Sequence, residues 1–200
     1  MSSRSEKKRA QILEAAATLF TEQGYGVSMD SIARLAGVSK QTVYAHFKTK
    51  DLLFETCIQS KCVNHQIDQT ALDLNMPIAE ALVRFGMRFH TMLWQPEVQQ
   101  TFRHAVSQLE THPTLAQIYL QSGPVKTTQV LSDYLQIKHN QGDITLTLNA
   151  QDSAMQLLLM FHGKAVYWGF LGHNCDLTQD ERLKYIQDCV ALFLSRALSN

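Results

Sequence analysis

Two hundred residues, 45% hydrophobic and 18% charged, fit a soluble globular chain with enough core for one or two compact domains and exclude a disordered polymer. The formal net charge is zero but unevenly spread: residues 1–50 carry eight Lys/Arg against four Asp/Glu, and residues 51–200 carry ten against fourteen. A basic end on an acidic remainder excludes a uniformly cationic coat and suits contact with phosphate at one end only.

The first predicted element is a helix carrying Ile12, Leu13, Ala16, Leu19 and Phe20 at helical spacing, closed by Gly24. The basic residues before it, Arg4, Lys7, Lys8 and Arg9, precede a polar–apolar alternation and not an unbroken apolar run, so no secretory signal is expected. Two short helices follow. Ser28 and Ser39 stand where N-caps belong, and Gly37 stands where the first of the two ends. Ile32, Leu35, Val38, Val43 and Phe47 form a joining apolar face, leaving Lys40, Gln41, Thr42, Tyr44 and His46 free of core duty. This pattern reads as a helix-turn-helix with a polar face on its second helix, the unit that enters a DNA major groove.

A fourth helix is predicted from Lys50 to about Gln69, then a loop over 73–77. Ile78, Leu82, Phe85, Phe89, Met92 and Leu93 mark the next helix, stopped near Pro96, and Val98, Phe102, Ala105, Val106 and Leu109 the one after. Pro113 suits the first position of a further helix, which Gly123-Pro124 is expected to interrupt before Val130, Leu131, Tyr134 and Leu135 resume it. Ile144, Leu146 and Leu148 alternate with polar residues and predict a short extended piece. Two long helices close the chain, one from about Asn149 to Leu171 and one opened by the capping box Thr178-Gln179-Asp180-Glu181. The stretch Met155–Leu171, interrupted by His162 and Lys164, is too short and too polar for a good membrane span. Cys57, Cys62, Cys175 and Cys189 lack CxxC spacing and are expected as reduced thiols in the cytoplasm.

The run Leu19-Phe20, Gly24-Tyr25, Ser28-Met29, Ile32-Ala33, Gly37-Val38-Ser39, Thr42-Val43-Tyr44, His46-Phe47, Lys50, Leu52-Leu53 and Phe54 resembles the signature of the TetR family of bacterial transcriptional regulators. Arg103-His104-Ala105-Val106, Gly123-Pro124, Gly142-Asp143-Ile144 and Asp152 resemble one C-terminal subgroup of that family. The resemblance implies an all-α fold of about nine helices. An N-terminal three-helix helix-turn-helix head occupies residues 1–54, and a C-terminal helical ligand-binding and dimerisation domain occupies residues 55–200. It further implies a ligand-responsive repressor binding a palindromic double-stranded operator as a homodimer. A transcriptional activator, or a helical small-molecule-binding protein of the same fold without DNA binding, stays open.

Carried over residue by residue, the resemblance implies DNA contacts from Ser28, Ser39, Lys40, Gln41, Thr42, Tyr44, His46 and Lys50. Lys40 suits guanine O6 and N7 and Gln41 suits adenine N6 and N7, while Tyr44, His46 and Lys50 suit phosphate. Tyr44 equally suits ring packing on Leu53. It also implies a small-molecule effector. Candidate lining residues are Phe85, His90, Trp94, Phe102, His104, Tyr119, Met160, His162, Tyr167 and Trp168, each of which also reads as ordinary core. Phe161, Trp168, Leu171, Phe193 and Leu194 are the expected dimer-interface residues. No GxSxG, HExxH, P-loop or dinucleotide motif is present and the His and Cys spacings do not suit zinc, so no catalytic residue, cofactor or metal site is expected.

Overall fold

The computed structural model describes residues 3–68 and 71–197. The described residues form helices α1 (Ser3–Gln23), α2 (Met29–Leu35), α3 (Lys40–His46), α4 (Lys50–Asn64), α5 (Ile78–Leu93), α6 (Pro96–Ser107), α7 (Pro113–Leu120), α8 (Lys126–Asn140), α9 (Ala150–Phe170) and α10 (Gln179–Ala197). A π-turn over Gln121–Val125 joins α7 to α8 without a gap, so the two count as one and the described residues hold nine helices and no strand. The predicted interruption at Gly123-Pro124 is thus a widened turn and not a stop. Pro124 has no N–H to give, and a wider turn passes the ring without ending the helix.

The chain makes two compact units, one of residues 1–61 with 97–123 and one of residues 62–96 with 124–200. The core of the first is built by Ile12, Ala16, Phe20, Ile32, Ala33, Val43, Phe47, Leu53 and Phe54, with Leu115 of α7. Phe20, Tyr25 and Phe54 meet ring to ring at 5.2–6.0 Å between centroids, an aromatic wedge holding α1, the 3-10 turn Gly24–Gly26 and α4 together. In the second unit α9 packs on α5, α8 and α10, and α5 packs on α10. Phe85, Leu82, Leu131, Leu135, Leu157, Phe161 and Ile186 fill its interior. Gly86 lets α5 come this close: a Cβ there would stand 2.8 Å from both Phe161 and Ile186.

Four expectations change. The fourth helix ends at Asn64, short of the predicted Gln69, which itself lies outside the described residues. Leu35 does not join the helix-turn-helix core; it is 54% exposed at the last residue of α2. The alternating segment 144–148 makes no strand among the described residues, because no second strand is there to pair with it. Ile144 is buried as a single anchor, and the Thr145 N–H donates to the Ala197 carbonyl at 2.6 Å. Finally, α9 breaks at Gly163, where φ is +56° and ψ −178°. The carbonyl of Met160, one turn before the break, accepts from the Tyr185 hydroxyl at 2.8 Å and from the Cys189 thiol at 3.7 Å.

Candidate nucleic-acid interface

Two seven-residue helices are too short to be stable alone, so their ends must be held. The Ser28 hydroxyl accepts from the Ser31 N–H at 3.0 Å, capping α2, and the Ser39 hydroxyl accepts from the Thr42 N–H at 3.1 Å, capping α3. Between them the chain turns through Gly37 at φ +65°. The Val38 N–H reaches the Ala33 carbonyl at 3.0 Å and the Gly37 N–H reaches the Arg34 carbonyl at 3.2 Å. This pair of bonds is the Schellman closure, which a left-handed glycine allows. Val43 and Phe47 then fix the inner face of α3 in the core, and the opposite face is left to solvent.

That outer face carries Lys40, Gln41 and Tyr44, all exposed, with Thr42 and His46 part-exposed. Tyr44 presents its ring outward while Leu53 lies fully buried in the core. Ser39 and Thr42 also share a hydroxyl–hydroxyl bond of 2.8 Å. The Lys40 ammonium donates to the Asp30 carboxylate at 2.9 Å, and this bond to Asp30 raises the lysine's pKa. Both partners are solvated, so the pair is the kind a phosphate or a base edge displaces easily.

Lys50 departs from its expected role. Its ammonium donates to the Tyr25 carbonyl at 2.8 Å and the Val27 carbonyl at 3.3 Å, and stands 4.2 Å from the centre of the Tyr25 ring. Burial lowers its pKa. Two of its three donors serve the turn before α2, so Lys50 holds the head together more than it reaches outward. Two other residues stand where sequence reading named none: Lys48 is exposed in the turn before α4, and the Thr49 hydroxyl caps α4 by accepting from the Leu52 N–H at 3.1 Å. A basic residue beside a Thr cap was the available signal. Arg4, Lys7, Lys8 and Arg9 lie in α1, and the Arg9 guanidinium sits 5.1 Å from the centre of the Phe47 ring.

The candidate effector residues do not converge on one place. Phe102, His104 and Tyr119 belong to the first unit, where Phe102 and Tyr119 face each other at 6.0 Å and the His104 Nε2 donates to the Thr21 carbonyl at 3.0 Å. That bond gives His104 a structural duty, tying α6 to the end of α1. The others lie in the second unit. Phe85 is fully buried and stacks near Phe89, whose ring meets the edge of His162 at 5.5 Å. The His162 Nδ1 donates to the Leu158 carbonyl at 2.8 Å, and burial lowers its pKa. His90 is 2% exposed with Nδ1 lacking any partner, and its pKa is pushed down to about 4, first by burial and then by the charges of Arg182 and His162. Trp94 is half-buried against His90, and Met160 is half-buried beside the break in α9. Tyr167 and Trp168 turn outward, away from any interior site.

The interface candidates also divide. Phe161 is fully buried and Leu194 is buried, so both serve the subunit's own core and present nothing to a second copy. Trp168 and Leu171 are exposed and Phe193 is half-exposed. Met155, Leu159 and Leu192 join them as exposed apolar residues of the last two helices. No group of three or more metal-ligating side chains occurs among the described residues, and no described helix is long and apolar enough to cross a membrane.

A capped, glycine-turned helix pair with an outward polar face, set in a three-helix core, defines a helix-turn-helix protein. Residues 12–57 match the model of the tetR family of bacterial regulatory proteins, and residues 80–196 match that of the AefR-like transcriptional repressor C-terminal domain. The chain therefore belongs to the TetR family. Among similar solved structures, the flavonoid-responsive regulator FrrA is 29% identical with a TM-score of 0.77, the match covering 96% of this chain and 97% of that one. A TetR-family protein from Mesorhizobium loti shares the fold, with a TM-score of 0.80 at 24% identity over 98% of this chain and 99% of that one. The Bacillus subtilis HTH-type regulator YhgD is 36% identical over 80 residues, 38% of this chain and 41% of that protein. The Staphylococcus epidermidis negative regulator IcaR is 32% identical over 59 residues, 29% of this chain and 31% of that protein. The chain thus matches well under half the length of these curated relatives.

Proposed function

We propose that this protein is a sequence-specific DNA-binding repressor that works as a homodimer and is released from its operator by a small molecule. The observation that carries the reading is the polar face of α3. Lys40, Gln41 and Tyr44 are exposed on a short helix whose start is capped by Ser39 and whose inner side is locked by Val43 and Phe47. Residues 1–54 contact DNA; residues 55–200 receive the effector and pair the subunits. Lys40 and Gln41 read base edges, while Ser28, Thr42, Tyr44, His46 and Lys48 position the head on phosphate.

One such helix covers only a few base pairs. A two-fold dimer with its heads one helical turn of DNA apart, about 34–36 Å, reads a palindrome. The exposed apolar stripe Met155, Leu159, Trp168, Leu171 and Leu192 on the last two helices supports self-association. Repression is favoured over activation because the family match that covers the regulatory half is to a repressor domain. An effector is supported by the likeness to FrrA, whose name states that it responds to flavonoids; for this chain we place the effector among planar aromatic compounds. The effector acts only through its different affinity for the operator-bound and released states. The site of action is the cytoplasm, where bacterial DNA lies, and no catalytic step is assigned.

The test is selection of bound fragments from sheared source genome at two salt concentrations. One recovered palindrome, with affinity falling steeply in salt as released counterions require, supports the reading. Fragments without a shared sequence, or affinity indifferent to salt, sink it.

A further inference from the structure

Arg182 on α10 is a cation without an anion. Its Nη1 donates to the Thr91 hydroxyl at 3.1 Å and its guanidinium lies 4.6 Å from the centre of the Trp94 ring. No carboxylate stands within ion-pair distance of it among the described residues, and its Nε–H is buried with no acceptor. On the same Trp94 ring, at 6.0 Å between centroids, stands His90, and its buried Nδ1 is also unpaired. Unpaired buried polar atoms are rare, and each costs the desolvation that a bond would have repaid. Two of them beside one indole, next to an unneutralised guanidinium, describe a place made for an oxygen that is not part of the chain.

The surroundings agree. His90 stays neutral down to about pH 4. With its proton on Nδ1 it donates to an incoming oxygen without adding a second charge. Thr91, the residue that holds Arg182, also lines an open cleft of about 300 Å³ with Asn64, His65, Gln66, Met87 and Arg88, a cleft that Arg182, His90 and Trp94 do not themselves line. Trp94, half-buried, adds flat ring surface. All of these residues belong to the second unit.

We infer that the effector carries an ionised oxygen, a carboxylate or phenolate on an aromatic ring, which Arg182 Nε–H and His90 Nδ1–H receive beside Trp94. The inference rests on the effector-binding reading above and gives that effector its chemical class. Arg182 supplies the charge, Thr91 sets its rotamer, and His90 sets the second bond. A neutral isostere of the same ring finds the same flat surface but leaves the guanidinium unanswered.

The experiment uses the full chain and a matched pair of probes, 2-naphthoate and 2-naphthamide, with binding followed by titration calorimetry. The expected result is that naphthoate binds at least about tenfold more tightly than the amide, as a charge-assisted bond in a partly buried site implies. Arg182→Met removes that preference while leaving the weak amide binding as it was. Arg182→Lys, which keeps the charge but not the Nε–H or the planar fork, keeps only part of it and serves as the test if Arg182→Met does not fold by circular dichroism. Equal binding of the two probes, no naphthoate binding to the unaltered protein, or an unchanged preference in Arg182→Lys overturns the inference. These outcomes are distinct from failure of the regulator reading, which the genomic selection decides without any probe.

Discussion

Lys50 shows how a basic residue in a DNA-facing head can be occupied before DNA arrives. Its ammonium answers two carbonyls of the turn that precedes α2, so Lys50→Met leaves both to find water in a half-closed place. We expect a loss of roughly 1.5–3 kcal/mol in urea unfolding, the scale of a charged hydrogen bond. Gln41 is the opposite case, exposed and without structural duty. Gln41→Ala should leave the unfolding curve in place while weakening binding to the selected operator by roughly 1–3 kcal/mol and relaxing sequence preference at one position. His90 sets an acid limit. Its pKa is about 4 in the folded chain against 6.5 when free, so the unfolded chain takes up a proton between those values that the folded chain refuses. Stability is therefore whole above pH 6.5 and falls as pH drops toward 4, by on the order of 2–3 kcal/mol from this group. His162, lowered in the same direction, adds to the slope. Urea unfolding at several pH values should show a clearly shallower acid decline for His90→Gln than for the unaltered chain.

At the scale of elements, what could be read in the sequence was what local chemistry decides. Ser28, Ser39 and Thr178 each cap the helix their position announced, because a cap needs only its own next three residues. The reading went astray where distant partners decide. Leu35 fits an apolar period yet faces water because α2 ends there, and Ile144–Leu148 alternates as a strand does but has no second strand. The residues proposed to line an effector site can be read only as aromatic, His and Met positions, and such positions serve cores equally well. Arg182, which no spacing singled out, emerged only once α5 and α10 lay side by side. Gly163 is hidden for the same reason: helix runs on both sides of it, and the Tyr185 ring that stands against it belongs to α10. Gly163→Ala meets two obstacles, a left-handed φ and a Cβ 2.9 Å from the Tyr185 ring. We expect at least roughly 1–3 kcal/mol lost in thermal or urea unfolding, more than Gly-to-Ala replacement costs at an ordinary surface turn.

For the molecule as a whole, the proposed dimer makes a prediction that separates core from contact. Leu171 is 72% exposed at the end of α9, so Leu171→Glu meets only water within one subunit. Sedimentation velocity at micromolar concentration should show the monomer fraction rising while circular dichroism and unfolding stay unchanged. Operator affinity should fall with it, since a lone head reads only half a palindrome. A Leu171→Glu protein that remained wholly dimeric would move the contact elsewhere on the surface.

The break in α9 has a consequence for the face proposed to meet a second subunit. Its buried residues, Ala150, Ser153, Ala154, Leu157, Leu158 and Phe161 before the break and Ala165, Val166 and Gly169 after it, keep ordinary helical spacing within each stretch. Gly163 alone leaves the helical angles between them, so that one residue sets how the second stretch is turned against the first, as a joint sets the angle between two lengths of shaft. Exposed Met155 and Leu159 lie before the joint and exposed Trp168 and Leu171 beyond it, so a change that straightened it would turn one apolar pair relative to the other.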